Sequence, residues 1–258
     1  MKKYIITLIT LCVVLVLSTV FYYKFDPSLL TRLSFYMSLA NPSMRIVRIQ
    51  EGLRKEEVAQ VVADKLNWNP QEKEEFIKNT NVEGYYFPKT YLIYKDDDPS
   101  TVKATMLDEF NKQVSTVKKP KSKQITNEDT AIKIASIIQR EAASKEDMNL
   151  ISGIIWNRIF SGMKLQIDAT LQYAKGNEED GWWQQVTPED KKLESSYNTY
   201  RYTGLPPGPI ANPGLAAIAA AYNPEKTNCL FYLHDKNRKI HCAKTYEEHK
   251  KNINIYLK

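Results

Sequence analysis

The chain has 258 residues, a length that allows one large domain or two small ones with a packed core. Its 36 Lys and Arg residues against 30 Asp and Glu residues give a net charge of +6, and the two signs are interleaved along the chain. This mild, unclustered charge argues against a nucleic-acid-binding protein, and three cysteines are too few for a disulfide scaffold.

The N-terminus has the features of a membrane anchor. Residues 4–23 form a nearly uninterrupted apolar stretch without charge, and about 20 such residues match the thickness of a bilayer core. Lys2 and Lys3 precede the stretch, which favours a cytoplasmic tip over residues 1–3 and an extracytoplasmic position for everything that follows. Three bulky aromatic residues at 21–23 stand where a cleavage site would need small ones, so we predict a retained anchor rather than a cleaved signal peptide.

The next segment predicts a stem and a small folded unit. Residues 24–43 read as a juxtamembrane stem. Residues 44–50 alternate apolar and polar side chains, which is typical of a short strand. Residues 54–66 place three valines and a leucine on one helical face, and a second short helix is expected over 71–78.

Two further elements precede a basic linker. The sequence EGYYFPKTYLIY at 83–94 reads as extended chain and turn, and residues 99–117 have helical periodicity. The run KKPKSK at 118–123 is interpreted as a solvated connector. We therefore place a domain boundary there, with residues 44–123 as an N-terminal subdomain and connector and residues 124–258 as a second domain.

The second domain begins with two predicted helices. Asn127 can cap the first, and acids follow in its first turn, where the helix dipole favours them. Ser144 and Asp147 have the spacing of a capping box for the second, which Gly162 would end. Residues 169–194 then read as a polar insertion.

The C-terminal part predicts a helix, a hairpin and a final helix. Asn212 and Pro213 form an N-cap and N1 pair for a helix that ends near residue 222. Residues 229–234 and 239–243 read as a hairpin, and Thr245 begins the last helix with a capping box. The fold class is therefore mixed α/β (α+β).

The hairpin carries two cysteines, Cys229 and Cys242, whose pairing the sequence leaves open because strand register is not readable this finely. His234, His241 and His249 follow no zinc-ligand spacing. We predict no metal and no cofactor.

Glu141 is the most informative position. In the predicted helix it follows Ile134, Ile137 and Ile138 by seven, four and three residues, which places it beside the buried stripe. A carboxyl in a partly apolar site has a raised pKa and keeps its proton near neutral pH, as a general acid requires. The alternative is a side chain that reaches water or pairs with Arg140 or Arg158.

Two later segments supply candidate substrate-binding residues. Gln166 and Asp168 lie among apolar residues in MKLQIDATLQY at 163–173. The segment YNTYRYTGLPPGPIANPG at 197–214 is rich in proline and glycine, which restrict its backbone. Such a rigid loop can present Asn198, Thr199 and Tyr200 to a sugar polymer, although a purely structural loop fits the composition equally well.

These motifs together resemble the endolytic murein transglycosylases, the YceG-like family, from about Val47 to the C-terminus. The resemblance rests on EGYYFPKTY at 83–91, ASIIQREA at 135–142, NRIFSGMKLQIDATLQY at 157–173 and the loop at 197–214. In two respects the chain departs from the family: Gln139 stands where members often carry an acid, and the N-terminal extracytoplasmic part is short.

The resemblance implies a single-pass cytoplasmic-membrane protein with a LysM-like N-terminal subdomain and a C-terminal catalytic domain. It implies non-hydrolytic cleavage of the bond between N-acetylmuramic acid and N-acetylglucosamine inside peptidoglycan strands, which leaves 1,6-anhydro ends. Glu141 falls on the family's catalytic glutamate. Peptidoglycan, the membrane and wall-synthesis proteins are the implied partners, and Glu83 joins the candidate substrate-binding residues.

Two alternatives stay open at this point. A hydrolase would use a second carboxylate, Asp168 or Glu83, beside Glu141. A non-catalytic scaffold would bind peptidoglycan without cutting it. Trp182 and Trp183 fit either packing of the polar insertion or stacking on a sugar.

Overall fold

The computed structural model describes residues 2–22, 41–78, 83–119 and 127–258. Most of the predicted stem at 24–43 and of the basic linker at 118–123 lies outside these residues.

The first helix, α1, spans Lys2–Tyr22. Side chains along it, including Leu8, Leu11 and Leu15, are exposed. In the described ranges, no helix combines the length and the apolar character that crossing a membrane requires. The predicted span over 4–23 is therefore not confirmed.

Residues 44–94 form a β–α–α–β unit with a core of its own. Strands β1 (Met44–Arg48) and β2 (Thr90–Tyr94) pair antiparallel, with Val47 opposite Tyr91. Helices α2 (Lys55–Leu66) and α3 (Pro70–Ile77) connect them. Val47, Val58, Val62 and Phe76 are fully buried in this core, as the alternation of β1 and the apolar face of α2 predict.

Helix α4 (Pro99–Ser115) joins this unit to the C-terminal half. Asp98 caps it by accepting hydrogen bonds from the backbone N–H groups of Ser100 and Thr101. Its first turns bury Val102 and Met106 in the N-terminal core, and its last turns bury Phe110 and Val114 in the C-terminal core.

The C-terminal half is built around α5. Its elements are α5 (Glu128–Glu141), α6 (Met148–Phe160), α7 (Asp168–Lys175), α8 (Leu215–Tyr222), β3 (Phe231–His234), β4 (Ile240–Ala243) and α9 (Tyr246–Tyr256). Helix α5 packs mainly against α8 and α6. Ile132, Ile134, Ile137 and Ile138 are fully buried there, and the C-terminal end of α5 lies beyond this buried stretch.

The C-terminal hairpin carries the disulfide that the sequence left open. Strands β3 and β4 pair antiparallel, and Cys229 is bonded to Cys242. The predicted capping box is confirmed, because Thr245 accepts a hydrogen bond from the backbone of Glu248 at 3.2 Å and the Glu248 carboxylate accepts one in return. Each sheet within the described residues has two antiparallel strands, so the mixed α+β class is confirmed.

Three element predictions were wrong. Helix α6 begins at Met148 rather than after Ser144, because the Asp147 carboxylate contacts His234 at 3.3 Å instead of capping a helix. The segment 169–194, which was interpreted as a polar insertion, holds all of helix α7 except its first residue, Asp168. Helix α8 begins at Leu215 after the N-cap Gly214, because Asn212 is fully buried in tertiary contacts.

Candidate active site

Glu141 is the last residue of α5 and lies in a cleft of about 400 Å³. Its Oε2 accepts a hydrogen bond of 2.6 Å from the hydroxyl of Tyr232 on β3. A backbone N–H at Ala169, in the first turn of α7, also donates to the carboxyl group. The predicted placement beside the buried stripe is confirmed, and the helix end directs the carboxyl into the cleft.

Burial raises the pKa of Glu141 above its usual range. The hydrogen bonds from Tyr232 and Ala169 act in the opposite direction, because they favour the ionised form. The nearby Asp168 raises the pKa further, and His234 lowers it. The net effect favours the protonated form of Glu141, and the site also provides donors for the anion that remains when the proton leaves.

The cleft combines basic, acidic and aromatic groups. Its polar and aromatic lining consists of Glu141, Arg158, Gln166, Asp168, Lys191, Tyr200, Phe231, Tyr232, Tyr246 and His249. Hydroxyl, amide and charged groups beside exposed rings are what a polar polymer with apolar ring faces requires. This arrangement fits a sugar strand better than an apolar ligand.

Neither arginine that was considered as a partner forms an ion pair with Glu141. The Arg158 guanidinium donates to the carbonyl oxygens of Leu230, at 2.6 Å, and Leu165. The Arg140 guanidinium lies 3.7 Å from the centre of the Trp183 ring. The surface ion-pair alternative for Glu141 is therefore wrong.

Asp168 and Tyr200 lie in the cleft as predicted. The Tyr200 hydroxyl donates to Asp168 Oδ1 at 2.6 Å. Burial raises the pKa of Tyr200, and the adjacent Asp168 raises it further, so Tyr200 stays a neutral donor. The pair links the loop at 197–214 to the first residue of α7.

Gln166 lines the cleft, and Thr199 holds it in place. The backbone of Gln166 has φ +53°, and its N–H donates to the carbonyl of Thr199 at 3.0 Å. The Thr199 hydroxyl accepts from Ile167 N at 3.0 Å and contacts the Thr170 hydroxyl at 2.9 Å. Thr199 is buried, so its side chain supports the cleft rather than facing a substrate.

Asn198 does not reach the cleft, which corrects its assignment as a substrate contact. Its side chain is fully buried, and its Nδ2 donates to the carbonyls of Lys191 and Leu193 at 3.1 and 2.8 Å. Its Oδ1 accepts from the N–H groups of Tyr200 and Arg201. With all four contacts satisfied by backbone, Asn198 shapes the loop that carries Tyr200.

Glu83 lies outside the cleft that contains Glu141. It lines a separate cavity of about 480 Å³ with Tyr85, Tyr173 and Tyr197. Its carboxylate accepts from Lys55 N at 3.2 Å and from the Tyr173 hydroxyl at 3.2 Å. Burial raises the pKa of Glu83 to about 8. Because it does not line the cleft of Glu141, a direct partnership between the two carboxylates has no support.

The two tryptophans of the insertion pack against arginines. Arg54 lies 4.3 Å from the centre of the Trp182 ring. The Trp183 ring covers Arg140, and its Nε1 donates to Glu57 Oε2 at 2.9 Å. The packing interpretation is confirmed, and the contacts attach the insertion to the start of α2.

The sequence did not reveal Tyr232 or the role of Gln139. Tyr232 meets Glu141 across 91 positions of the chain, a tertiary contact without a local signal. Gln139 Oε1 accepts a hydrogen bond from Gly214 N, the N-cap of α8, at 3.0 Å. Gln139 therefore has a structural contact of its own, and Glu141 remains the enclosed acid on this turn. Over the described ranges, no group of three His, Cys, Asp or Glu side chains lies close enough to hold a metal ion.

Comparisons with known proteins point to one family. The sequence model of the YceG-like family matches residues 22–255. An endolytic murein transglycosylase of Bacillus subtilis is 33% identical over 239 residues, which cover 82% of this chain and 65% of the relative. One from Streptococcus pneumoniae D39 is 33% identical over 175 residues, 67% of this chain and 32% of the relative. The chain thus spans about two thirds and one third of these proteins.

A crystal structure gives the same result at the level of the fold. A yceG-like protein from Listeria monocytogenes superposes with a TM-score of 0.65 at 28% identity. The match covers 81% of this chain and 76% of that one.

Proposed function

Because the chain belongs to the YceG-like family, we propose that it is an endolytic peptidoglycan transglycosylase with Glu141 as its catalytic acid. It cleaves the bond between N-acetylmuramic acid and N-acetylglucosamine inside glycan strands. Its products end in 1,6-anhydro-N-acetylmuramic acid.

One observation carries this proposal: a partly exposed carboxyl whose pKa is raised by burial lines a polar cleft. A general acid must hold its proton at working pH and still reach the substrate. Its raised pKa favours the protonated form of Glu141, the cleft gives the carboxyl access to a substrate, and the donors from Tyr232 and Ala169 stabilise its conjugate base.

The mechanism uses this one acid twice. Glu141 gives its proton to the glycosidic oxygen, which leaves as a hydroxyl of N-acetylglucosamine while the muramyl C1 gains oxocarbenium character. The C6 hydroxyl of the same muramyl sugar then attacks C1, and its proton passes to the Glu141 carboxylate. The proton is returned, no water is consumed, and the ring closure forms the anhydro product. Tyr200 and Gln166 are proposed to orient the sugar and stabilise the developing charge.

The N-terminal sequence supports a location at the membrane. We assign residues 4–23 as a single-pass anchor, with residues 1–3 in the cytoplasm and a stem over 24–43, on the apolar sequence and the two preceding lysines. Residues 44–123 serve as the LysM-like subdomain and connector, and residues 124–258 as the catalytic domain. Peptidoglycan and wall-synthesis proteins are the partners on the outer face.

Mass spectrometry of digested peptidoglycan tests the function. The wild type should release fragments with anhydro ends. Glu141→Gln should reduce the rate by at least about a hundredfold, because it removes the general acid. Glu146→Gln changes an exposed carboxylate five positions away and should match the wild type. A Glu141→Gln variant as active as the wild type would refute the assignment.

Hydrolysis is the second candidate, because Asp168 is close enough to Glu141 to affect its pKa and lies in the same cleft. Asp168 would then act as the second carboxylate. Reducing ends in the wild-type products would favour this reaction, and Asp168→Asn should then lose activity together with those ends. A non-catalytic scaffold would bind strands and yield neither product.

A further inference from the structure

The contact between Tyr232 and Glu141 joins two distant parts of the chain. The Tyr232 hydroxyl lies 2.6 Å from Glu141 Oε2 and donates to it. Burial raises the pKa of Tyr232 well above its usual value, and the adjacent Glu141 raises it further. Tyr232 therefore remains a protonated donor over the pH range in which Glu141 titrates.

The position of Tyr232 is set by the hairpin and its disulfide. Tyr232 is the cross-strand partner of Cys242, and Cys242 is bonded to Cys229 at the start of the hairpin. The same end of the hairpin is attached to α6, because Asn157 Nδ2 donates to the carbonyl of Cys229 at 3.1 Å. The covalent bond thus holds the strand opposite Tyr232 next to an anchored segment.

We propose that Tyr232 is a positioning residue for the acid Glu141, and that the Cys229–Cys242 disulfide keeps it in place. The inference rests on the proposed function and adds to it. By occupying Oε2, the hydroxyl leaves Oε1 to carry the proton. One rotamer of the Glu141 side chain is then favoured, and the proton is directed at one point of the cleft.

The Tyr232 hydroxyl also stabilises the ionised form of Glu141. A hydrogen bond to an ionised carboxylate stabilises it and lowers its pKa. The other charged or titratable groups that influence Glu141 come from each surrounding element: Arg140 on α5, Arg158 on α6, Asp168 on α7, Tyr200 in the loop at 197–214 and His234 on β3. Removal of one hydroxyl leaves all of them in place, so its effect on titration is separable.

The test is the pH dependence of kcat/KM for Tyr232→Phe. Activity requires protonated Glu141, so the alkaline limb of the profile reports its pKa. Loss of the donor raises this pKa and should move the limb upward by about one pH unit, which is the shift that about 1.4 kcal/mol produces. The value of kcat at the optimum should fall by about tenfold, because the acid is less well oriented.

Tyr91→Phe is the matched control. The buried Tyr91 hydroxyl also donates a 2.6 Å hydrogen bond, but to the carbonyl of Phe87 in the N-terminal unit. Its removal should leave the alkaline limb unchanged. Circular dichroism and thermal unfolding show whether both variants fold.

The double variant Cys229→Ser and Cys242→Ser tests the role of the disulfide, both in the wild-type background and together with Tyr232→Phe. We expect it to move the limb upward in the wild type and to leave it where it is in Tyr232→Phe, because the disulfide acts through the hydroxyl. An equal movement in both backgrounds would overturn the role of the disulfide.

A Tyr232→Phe profile that superposes on that of the wild type would overturn the role of Tyr232. If Glu141→Gln is inactive in the same assay, only this inference fails. If Glu141→Gln is active, the proposed function fails first.

Discussion

Glu83→Gln should remove the pH dependence of stability that Glu83 contributes at the junction of the two halves. The Glu83 carboxylate accepts from Lys55 N, from the Tyr173 hydroxyl at 3.2 Å and from Asn212 Nδ2 at 3.3 Å. These donors come from α2, from α7 and from the loop before α8. Glutamine has the same shape but does not ionise.

The magnitude follows from the pKa of Glu83. Burial raises it from 4.5 to about 8, so the folded protein retains a proton there that the unfolded chain has released. Stability is therefore lost as the pH rises from about 4.5 to about 8. At about 1.4 kcal/mol for each pH unit, the full interval corresponds to at most roughly 5 kcal/mol. This pKa already includes the effect of the donors to the carboxylate, which lower it from the value that burial alone would give.

The assay is urea unfolding of wild type and Glu83→Gln at pH 5, 6, 7 and 8, at constant salt and without reductant. At pH 5 the variant should be about 1 kcal/mol less stable, since the amide presents one acceptor where the carboxyl presents two. At pH 8 it should be the more stable protein, by up to roughly 3 kcal/mol. Parallel stability curves would refute an ionisation at Glu83 in this range.

Four further variants have expected outcomes. Asn198→Ala should lower the free energy of unfolding by about 2 to 4 kcal/mol, measured in urea, because four buried backbone groups lose their partner. Gly84→Ala should cost more than about 3 kcal/mol, because φ is +89° and the new Cβ would lie within 2.8 Å of neighbouring side chains. Gly162→Ala, with φ +66° and no atom within 4 Å, should cost only about 1 kcal/mol, and thermal melts compare the two. Tyr200→Phe removes the bond to Asp168 and should reduce kcat/KM by about tenfold with little loss of stability, and an unchanged kcat/KM would exclude Tyr200 from the reaction.

The parts of the fold that local patterns determine were predictable. Helix α2 places Val58 and Val62 on one face, and the final helix begins at a capping box, so both were located within a residue or two. Helix α7 was missed because its N-cap is Ile167, whose side chain makes no capping bond. The start of α8 was misplaced because Asn212 bonds to distant backbone and to Glu83 instead of capping.

In the candidate site, too, only the features that depend on local sequence were predictable. Glu141 was identifiable because its spacing from the isoleucines of α5 is local information. The hydrogen bonding of its carboxyl is not local information, because the donor Tyr232 is 91 positions away. Asn198 was predicted as a substrate contact since its polarity and its rigid loop suit that role. Only the tertiary structure reveals that all its polar atoms bond to backbone.

Helix α4 makes the two halves thermodynamically interdependent. Phe110 and Val114 fill the C-terminal core, although they precede the predicted boundary by several residues. A fragment that starts at residue 124 would leave a void where these side chains lie, and burial of a Phe or Val side chain contributes about 1.5 to 3 kcal/mol. A C-terminal fragment cut at the basic linker would therefore be less stable. A C-terminal fragment that starts at Pro99 would retain α4 and its contribution to that core.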